Sequence, residues 1–309
     1  MEKTGVLVVG SGFMGAGIAQ VAAQAGFTVT LMDEDSQALA RGVDRIKSSI
    51  EKLARKGKLN DAPSSVIARI NATSELRTDE NIRWVIEAVF EDARVKEPLF
   101  RALDEMFAAD VVLASNTSGI PITQIASWTA RAERVIGLHF FGPVPLMALV
   151  EVIGGERTSQ EVVNASLEFV RALGKTPLVV RADIPGFVVN RILGAALDEA
   201  IRLVEWGIAS PEEVDNGMKL GLNWGAGPLE IADNAGLDTV LRATVAQFRL
   251  NPTPQRAPSE LLRRLVETGR LGRKTGEGFY RYDEWGRRAG FSDPVNECLK
   301  RKPFADFRF

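Results

Sequence analysis

Short apolar runs alternate with longer stretches in which apolar residues recur every three or four positions, and this alternation continues to residue 180. The runs at 6–9, 27–32, 84–89, 111–114, 134–138, 148–153 and 177–180 suit strands buried on both faces, and another strand is expected near 67–72. Between them the period lengthens to that of a helix. Ile18, Ala19, Ala22 and Ala23 precede a stopping glycine at Gly26, and residues 36–58 carry Leu39, Val43, Ile46, Ile50 and Leu53 on one face. A short helix near Pro63 and a crossover helix over 95–107 complete a doubly wound α/β sheet, with residues 36–70 read as a helical insert. After Arg191 the pattern is helical only. Helices are predicted at 192–205, at 211–219 with Ser210 as cap, at 238–248, and at 260–267 beyond the proline-broken loop 251–258. The reading is an α/β domain over 1–184, an all-helical domain over 185–283 and a C-terminal extension over 284–309.

Composition narrows the class. A chain of 309 residues, 45% hydrophobic and 25% charged, is an ordinary globular protein long enough for two domains. A net charge of -2 gives no general electrostatic reason to bind nucleic acid or an anionic membrane. The single cysteine, Cys298, excludes an intramolecular disulfide and a Cys/His metal cluster, and a reducing, cytoplasmic setting is expected. No charge falls between Lys3 and Asp33, but Gly10, Gly12, Gly15, Gly17, Gln20 and Gln24 break the uniform apolar surface of a membrane helix.

The first predicted strand ends in Gly10-Ser11-Gly12-Phe13-Met14-Gly15, a GxGxxG turn with a strand before it, a helix after it and Asp33 closing the second strand. In that setting the glycines permit a tight turn, close backbone approach to a diphosphate and close helix packing, while the helix N-terminus faces the phosphates. A carboxylate at Asp33 can accept both hydroxyls of an adenine ribose and would repel a 2′-phosphate. The expected cofactor is therefore NAD rather than NADP.

Polar residues gather where other strands end, the ligand edge of an open parallel sheet. Glu87-Ala88-Val89-Phe90-Glu91 is followed by Lys96; Ser115-Asn116-Thr117-Ser118-Gly119 could bind a ligand or cap the helix after Pro121. His139 is the only histidine and stands at another strand end, with Glu151 on the next strand. Histidine titrates near neutral pH, and an acid could hold one ring nitrogen while the other meets a substrate; a packed ring between phenylalanines is the alternative. Arg41, Arg45, Lys47, Lys52, Arg55, Lys56 and Lys58 make a basic arm, which reads equally as a solvated face or an anion site.

Together these pieces resemble the L-3-hydroxyacyl-CoA dehydrogenases from about Gly5 to Tyr282. The resemblance rests on the GxGxMG turn, Glu87-Ala-Val-Phe-Glu91 with Lys96, Ser115-Asn-Thr-Ser118, His139-Phe-Phe-x-Pro-Val-Pro with Leu149-Val-Glu151, Pro185-Gly-Phe-Val-Val-Asn-Arg191, Gly227-Pro-Leu and Gly272-Arg-Lys-Thr-Gly-Glu-Gly-Phe-Tyr280. It implies reversible, NAD-dependent oxidation of an L-3-hydroxyacyl-CoA, with His139 as general base, Glu151 orienting it, and Ser118 and Asn190 holding the substrate oxygen or thioester. It implies cofactor contacts at Gly10, Gly12, Phe13, Met14, Gly15, Asp33, Ala88, Glu91, Lys96 and Ser118, and CoA contacts at Ser49 and Lys56. No metal is expected, and an all-helical second domain, which commonly buries an apolar helix face against a twin, suits a homodimer. Three positions depart from the family pattern: Gly142 where asparagine is usual, Gly119 where serine is common, and Asn223-Trp224-Gly225-Ala226 in place of a His-Pro-Met type of loop, where a tryptophan would reshape the acyl pocket. They keep a free hydroxy compound of the L-gulonate or carnitine type as an alternative substrate. A non-catalytic NAD-binding protein would have no need of all four residues Ser118, His139, Glu151 and Asn190. The aromatics of the extension, Trp285, Phe291, Phe304, Phe307 and Phe309, suit packing across a dimer, over the pocket or on the helical domain.

Overall fold

A computed structural model describes residues 4–253 and 257–300. It divides into two compact units, 1–188 and 189–309. In chain order the first unit comprises β1 (Gly5–Val9), α1 (Phe13–Gln24), β2 (Thr28–Met32), α2 (Ser36–Arg55), α3 (Pro63–Ile67), β3 (Ile70–Thr73), β4 (Ile82–Glu87), α4 (Ala93–Met106), β5 (Val112–Ser115), α5 (Ile122–Ala126), β6 (Val135–Phe140), β7 (Leu149–Gly154), α6 (Gln160–Ala172) and β8 (Thr176–Val180). The strands form one sheet in the order β3-β2-β1-β4-β5-β6-β7-β8. The chain moves outward from β1 to β3, then returns to lay β4 on the other side of β1. The switch point of the sheet therefore lies between β1 and β4, where such folds bind ligands.

Strand alternation gives the sheet two buried faces. Val6 and Val8 of β1 join one core with Ile18, Ile46 and Phe169 of α1, α2 and α6; Leu7 and Val9 join the other with Phe100 and Ile125 of α4 and α5. Trp84 and Phe169 stack at 4.3 Å within the first core. This is the doubly wound arrangement expected from the runs.

Three details differ from the sequence reading. Residues 36–70 make the crossover from β2 to β3, which pairs in parallel with β2 as the sheet's edge, rather than an appended insert. Helix α6, absent from the sequence reading, connects β7 to β8 and starts at the Ser159 cap. Finally, β7 runs antiparallel to β6, because the connection 141–148 contains no crossover helix to carry the chain back.

The second unit comprises α7 (Val189–Glu205), α8 (Pro211–Leu222), α9 (Pro228–Ala235), α10 (Leu237–Leu250), α11 (Glu260–Glu267), β9 (Tyr280–Tyr282), β10 (Arg288–Phe291) and α12 (Asp293–Leu299). It is helical as expected, with one antiparallel hairpin added. Ser210 caps α8 in a reciprocal capping box with Glu213. Two buried carboxylates organise the hairpin: Asp215 accepts from Leu229 N, Glu230 N and Tyr280 Oη, and Asp233 accepts from Phe279 N, Tyr280 N and Tyr282 Oη. Part of the stretch read as an extension is core, since Val295 and Cys298 of α12 are buried with Leu262 and Phe279. Phe291 packs on Tyr280, whereas Trp285 is exposed at the hairpin turn; Phe304, Phe307 and Phe309 lie outside the described residues. None of the helices among the described residues is long and apolar enough to cross a membrane.

Candidate active site

The glycine turn has three distinct geometries. Gly10 has φ +98°, and a Cβ there would lie 2.6 Å from Ala88 O; a Cβ on Gly15 would overlap Gly10 O; one on Gly12 would meet nothing within 4 Å. The first glycine thus makes the turn, the third permits the close approach of α1, and the second leaves open space ahead of a helix end that no side chain caps. Those are the requirements for a diphosphate to approach backbone amides. Phe13 and Met14 open α1, and Ala88 N donates to Val9 O across the switch point. Asp33 is held at the turn, its Oδ2 accepting from Ser11 N at 2.8 Å and Ser11 Oγ at 2.7 Å, while Oδ1 accepts from Asp35 N. The set fits a dinucleotide carrying a free adenine ribose.

At the end of β4, Glu87, Glu91 and Lys96 form one network. The Lys96 ammonium, on a side chain 1% exposed, lies 2.5 Å from Glu87 Oε1 and 3.3 Å from Glu91 Oε2. Glu87 also accepts from Val89 N and, through Oε2, from Ser115 Oγ. Glu91 Oε1 accepts from Thr117 Oγ1, Ser118 N and Gly119 N. Burial alone would push the Glu91 carboxyl up; the Lys96 charge and the bonds from Thr117, Gly119 and Ser118 outweigh it and hold the pKa below the usual carboxylate range. The Ser118 loop is consequently built around Glu91. Its polar residues do not cap α5, whose first amides, Ile122 N and Thr123 N, donate to Asp183. Sequence reasoning assigned no role to Asp183 and did not join Glu87 and Thr117 to Lys96 and Glu91; the Glu-x-x-x-Glu spacing at a strand end was the available signal.

His139 and Glu151 are Cα partners across β6 and β7, so their side chains leave the same face of the sheet. Nδ1 of His139 lies 2.7 Å from Glu151 Oε2. Glu151 Oε1 accepts from Val188 N at 3.0 Å, and the carboxylate is fully buried. The imidazole is 6% exposed and flanked by Phe141 at 4.6 Å and Phe187 at 5.6 Å. Asn116 Oδ1 accepts from Phe140 N, tying the end of β6 to the Ser115–Ser118 segment, and Gly186 N donates to Ser118 O. Ser118 is half-buried. His139, Glu151, Ser118, Glu91 and Lys96 thus share the sheet's ligand edge in the first unit. Asn190 belongs to the second unit, in the first turn of α7. Ser49 lies two turns before Lys56, the exposed C-cap of α2, and therefore on the same helix face. The described residues contain no group of three or more His, Cys, Asp or Glu side chains able to hold a metal ion.

Comparison with known proteins gives the same picture. Residues 5–184 match the 3-hydroxyacyl-CoA dehydrogenase, NAD binding domain, and residues 186–282 match the 3-hydroxyacyl-CoA dehydrogenase, C-terminal domain. A probable 3-hydroxybutyryl-CoA dehydrogenase of Deinococcus radiodurans is 48% identical, covering 89% of this chain and 99% of its own. The human mitochondrial hydroxyacyl-coenzyme A dehydrogenase is 43% identical, covering 90% of each. Among solved structures, the (S)-3-hydroxybutyryl-CoA dehydrogenase PaaH1 of Ralstonia eutropha superposes with a TM-score of 0.87 at 43% identity, covering 92% of this chain and all of that one. With a dinucleotide-type glycine turn, a buried His–Glu contact and both family domains matched in order, the chain belongs to the 3-hydroxyacyl-CoA dehydrogenase family.

Proposed function

We propose that this NAD-dependent dehydrogenase oxidises short L-3-hydroxyacyl-CoA thioesters with His139 as the proton carrier. The observation that carries the reading is the His139 Nδ1–Glu151 Oε2 contact of 2.7 Å. A carboxylate on Nδ1 fixes the tautomer that leaves Nε2 as acceptor, and it stabilises the imidazolium formed on protonation. His139 Nε2 takes the C3 hydroxyl proton while the C3 hydride departs, so the C3–O bond becomes a ketone; in reduction the same nitrogen returns the proton. NAD supplies the hydride acceptor. Glu151 orients the ring, and its other oxygen accepts from Val188 N.

Ser118 and Asn190 hold the substrate oxygen or thioester, with the Ser118 loop kept in place by Glu91. Ala88, Glu91, Lys96 and Ser118 border the nicotinamide end. Lys96 acts from within its ion pairs, because its ammonium is taken up by two carboxylates. Asp33 receives the adenine ribose. Ser49 and Lys56 meet the CoA phosphates at the far end of the basic arm, whose cations outnumber its acids along one exposed helix. The enzyme acts as a cytoplasmic homodimer.

The test is NADH oxidation with acetoacetyl-CoA, run beside free acetoacetate and beside NADPH. Turnover of the thioester with NADH alone is the expected result. Turnover of acetoacetate at a comparable rate would overturn the CoA assignment, and activity with NADPH would overturn the role given to Asp33.

A further inference from the structure

Gly142 lies three residues beyond His139 and needs no side chain for a reason that its own backbone does not supply. Its φ is outside the left-handed region, so other residues fit that conformation. What bars a side chain is Phe13: a Cβ on Gly142 would come 2.5 Å from Phe13 Cε1 and 3.5 Å from Met14 Sδ. A neighbouring contact is also close, since a Cβ on Gly17 would lie 2.8 Å from Val144 Cβ. Residues 142–145 thus rest on the first turns of α1. The ring of Phe13, the opening residue of that helix, leans over Gly142 while remaining 55% exposed.

This position is chemically informative. Backbone amides at the start of α1 receive the diphosphate, and the reactive end of the nicotinamide must lie beside the carbon whose hydroxyl proton His139 takes. The nicotinamide ribose therefore runs from the start of α1 towards the end of β6. Phe13 stands at the first of those points and leans on the loop that follows the second. An exposed aromatic ring there is free to be covered by a ligand, and half an aromatic side chain is a substantial apolar area.

We propose that the Phe13 side chain is a specificity-determining residue for the cofactor's nicotinamide half: its ring covers the nicotinamide ribose, and Gly142 is glycine because the ring occupies the space of a side chain. The proposal rests on the NAD site at Gly10–Gly15 and adds a side-chain role to a position whose backbone alone the fingerprint uses. It also makes the two positions a coupled pair. Any side chain at 142 evicts the ring instead of breaking the fold, because the clashing atom is the far edge of a ring with solvent beside it.

The experiment is titration of the purified enzyme with NADH, by its fluorescence, and with ADP, by calorimetry, with thermal unfolding of each variant as a folding control. Phe13→Ala should raise the Kd for NADH roughly tenfold, the scale of removing half a buried aromatic side chain. The Kd for ADP, which lacks the nicotinamide half, should stay within about twofold. Gly142→Ala should reproduce the loss of NADH affinity, and Phe13→Ala/Gly142→Ala should be no worse than Phe13→Ala. An unchanged Kd for NADH in Phe13→Ala, an equal loss for ADP, or additive losses in the double variant would each overturn the proposal. Failure of the native enzyme to bind ADP at all would instead overturn the site reading beneath it.

Discussion

His139 and Glu151 face each other as paired residues of β6 and β7, and their side chains meet at 2.7 Å on the buried face shared by α4 and α5. The antiparallel step in an otherwise mostly parallel sheet is what makes this pairing direct. In a parallel pair the hydrogen bonds slant, whereas an antiparallel register sets two side chains squarely opposite.

On the proposed mechanism the two residues work as one unit, so their losses should not multiply. His139→Gln and Glu151→Gln are each expected to lower kcat roughly a thousandfold, and the double variant about as much as His139→Gln alone. NADH affinity should be unaffected in His139→Gln. Single- and double-variant turnover, with NADH titration, decides this; independent, multiplying losses would show that the pair is not one acid–base device.

The Glu87–Lys96 pair predicts a large stability effect. Both side chains are buried, so removing Glu87 leaves the Lys96 ammonium with Glu91 alone at 3.3 Å and strips Val89 N and Ser115 Oγ of their acceptor. Glu87→Ala should destabilise the first unit by about 3–5 kcal/mol, and Glu87→Leu/Lys96→Met should recover most of that loss. Urea unfolding of the three proteins measures it. A double variant less stable than the single would contradict the buried-charge explanation.

Lys56→Ala should raise the KM for acetoacetyl-CoA roughly threefold to tenfold with little change in kcat, since an exposed cation on a phosphate contributes modestly and acts far from the chemistry. The difference between native and variant should shrink as salt is added. A KM indifferent to both the substitution and salt would remove the basic arm from the substrate site.

Asp233 supplies a pH dependence of uncommon sign. Burial pushes its carboxyl up to about 6, with neighbouring Asp215 adding to the rise and the bonds from Phe279, Tyr280 and Tyr282 opposing it. The folded state therefore binds this proton more tightly than the unfolded state, whose value lies near 3.8. Its contribution is fully present below that lower value and is lost as pH rises through about 6. The pH difference in unfolding free energy between the native protein and Asp233→Asn should show this term, about 3 kcal/mol, fading across that window. A difference that grew with rising pH would reverse the assignment.

Much of this architecture was legible in the residues because local patterns and function coincide. The strand before Gly10, the helix after Gly15 and Asp33 at the next strand end all lie within one βαβ unit, and short-range spacing is what a sequence displays. The acids and bases at the strand ends were visible for the same reason. Longer-range facts were not. Lys96 sits on a helix that also carries the exposed Arg94 and Arg101, and its helical period does not show that two carboxylates take it inside. The hairpin of β9 and β10 has strands of three and four residues, too short for a period to register, and it depends on Asp215 and Asp233 from distant helices. Gly142 read as a departure from the family pattern and Phe13 as a cofactor contact; their closeness, a Cβ at 142 lying 2.5 Å from Phe13 Cε1, shows only in the fold.

The reversal at β7 bears finally on how the active centre is assembled by a folding chain. Parallel neighbours such as β1 and β4 meet only after whole crossovers have been closed, and contacts so distant along the chain form slowly. His139 and Glu151 need only the connection 141–148 to fold back on itself. The loop entropy of that closure is small, so the His139–Glu151 contact needs no crossover to form. In protein engineering terms, residues 139–151 carry the contact and its register on one short antiparallel segment, while β8 and Val188 N hold Glu151 from outside it.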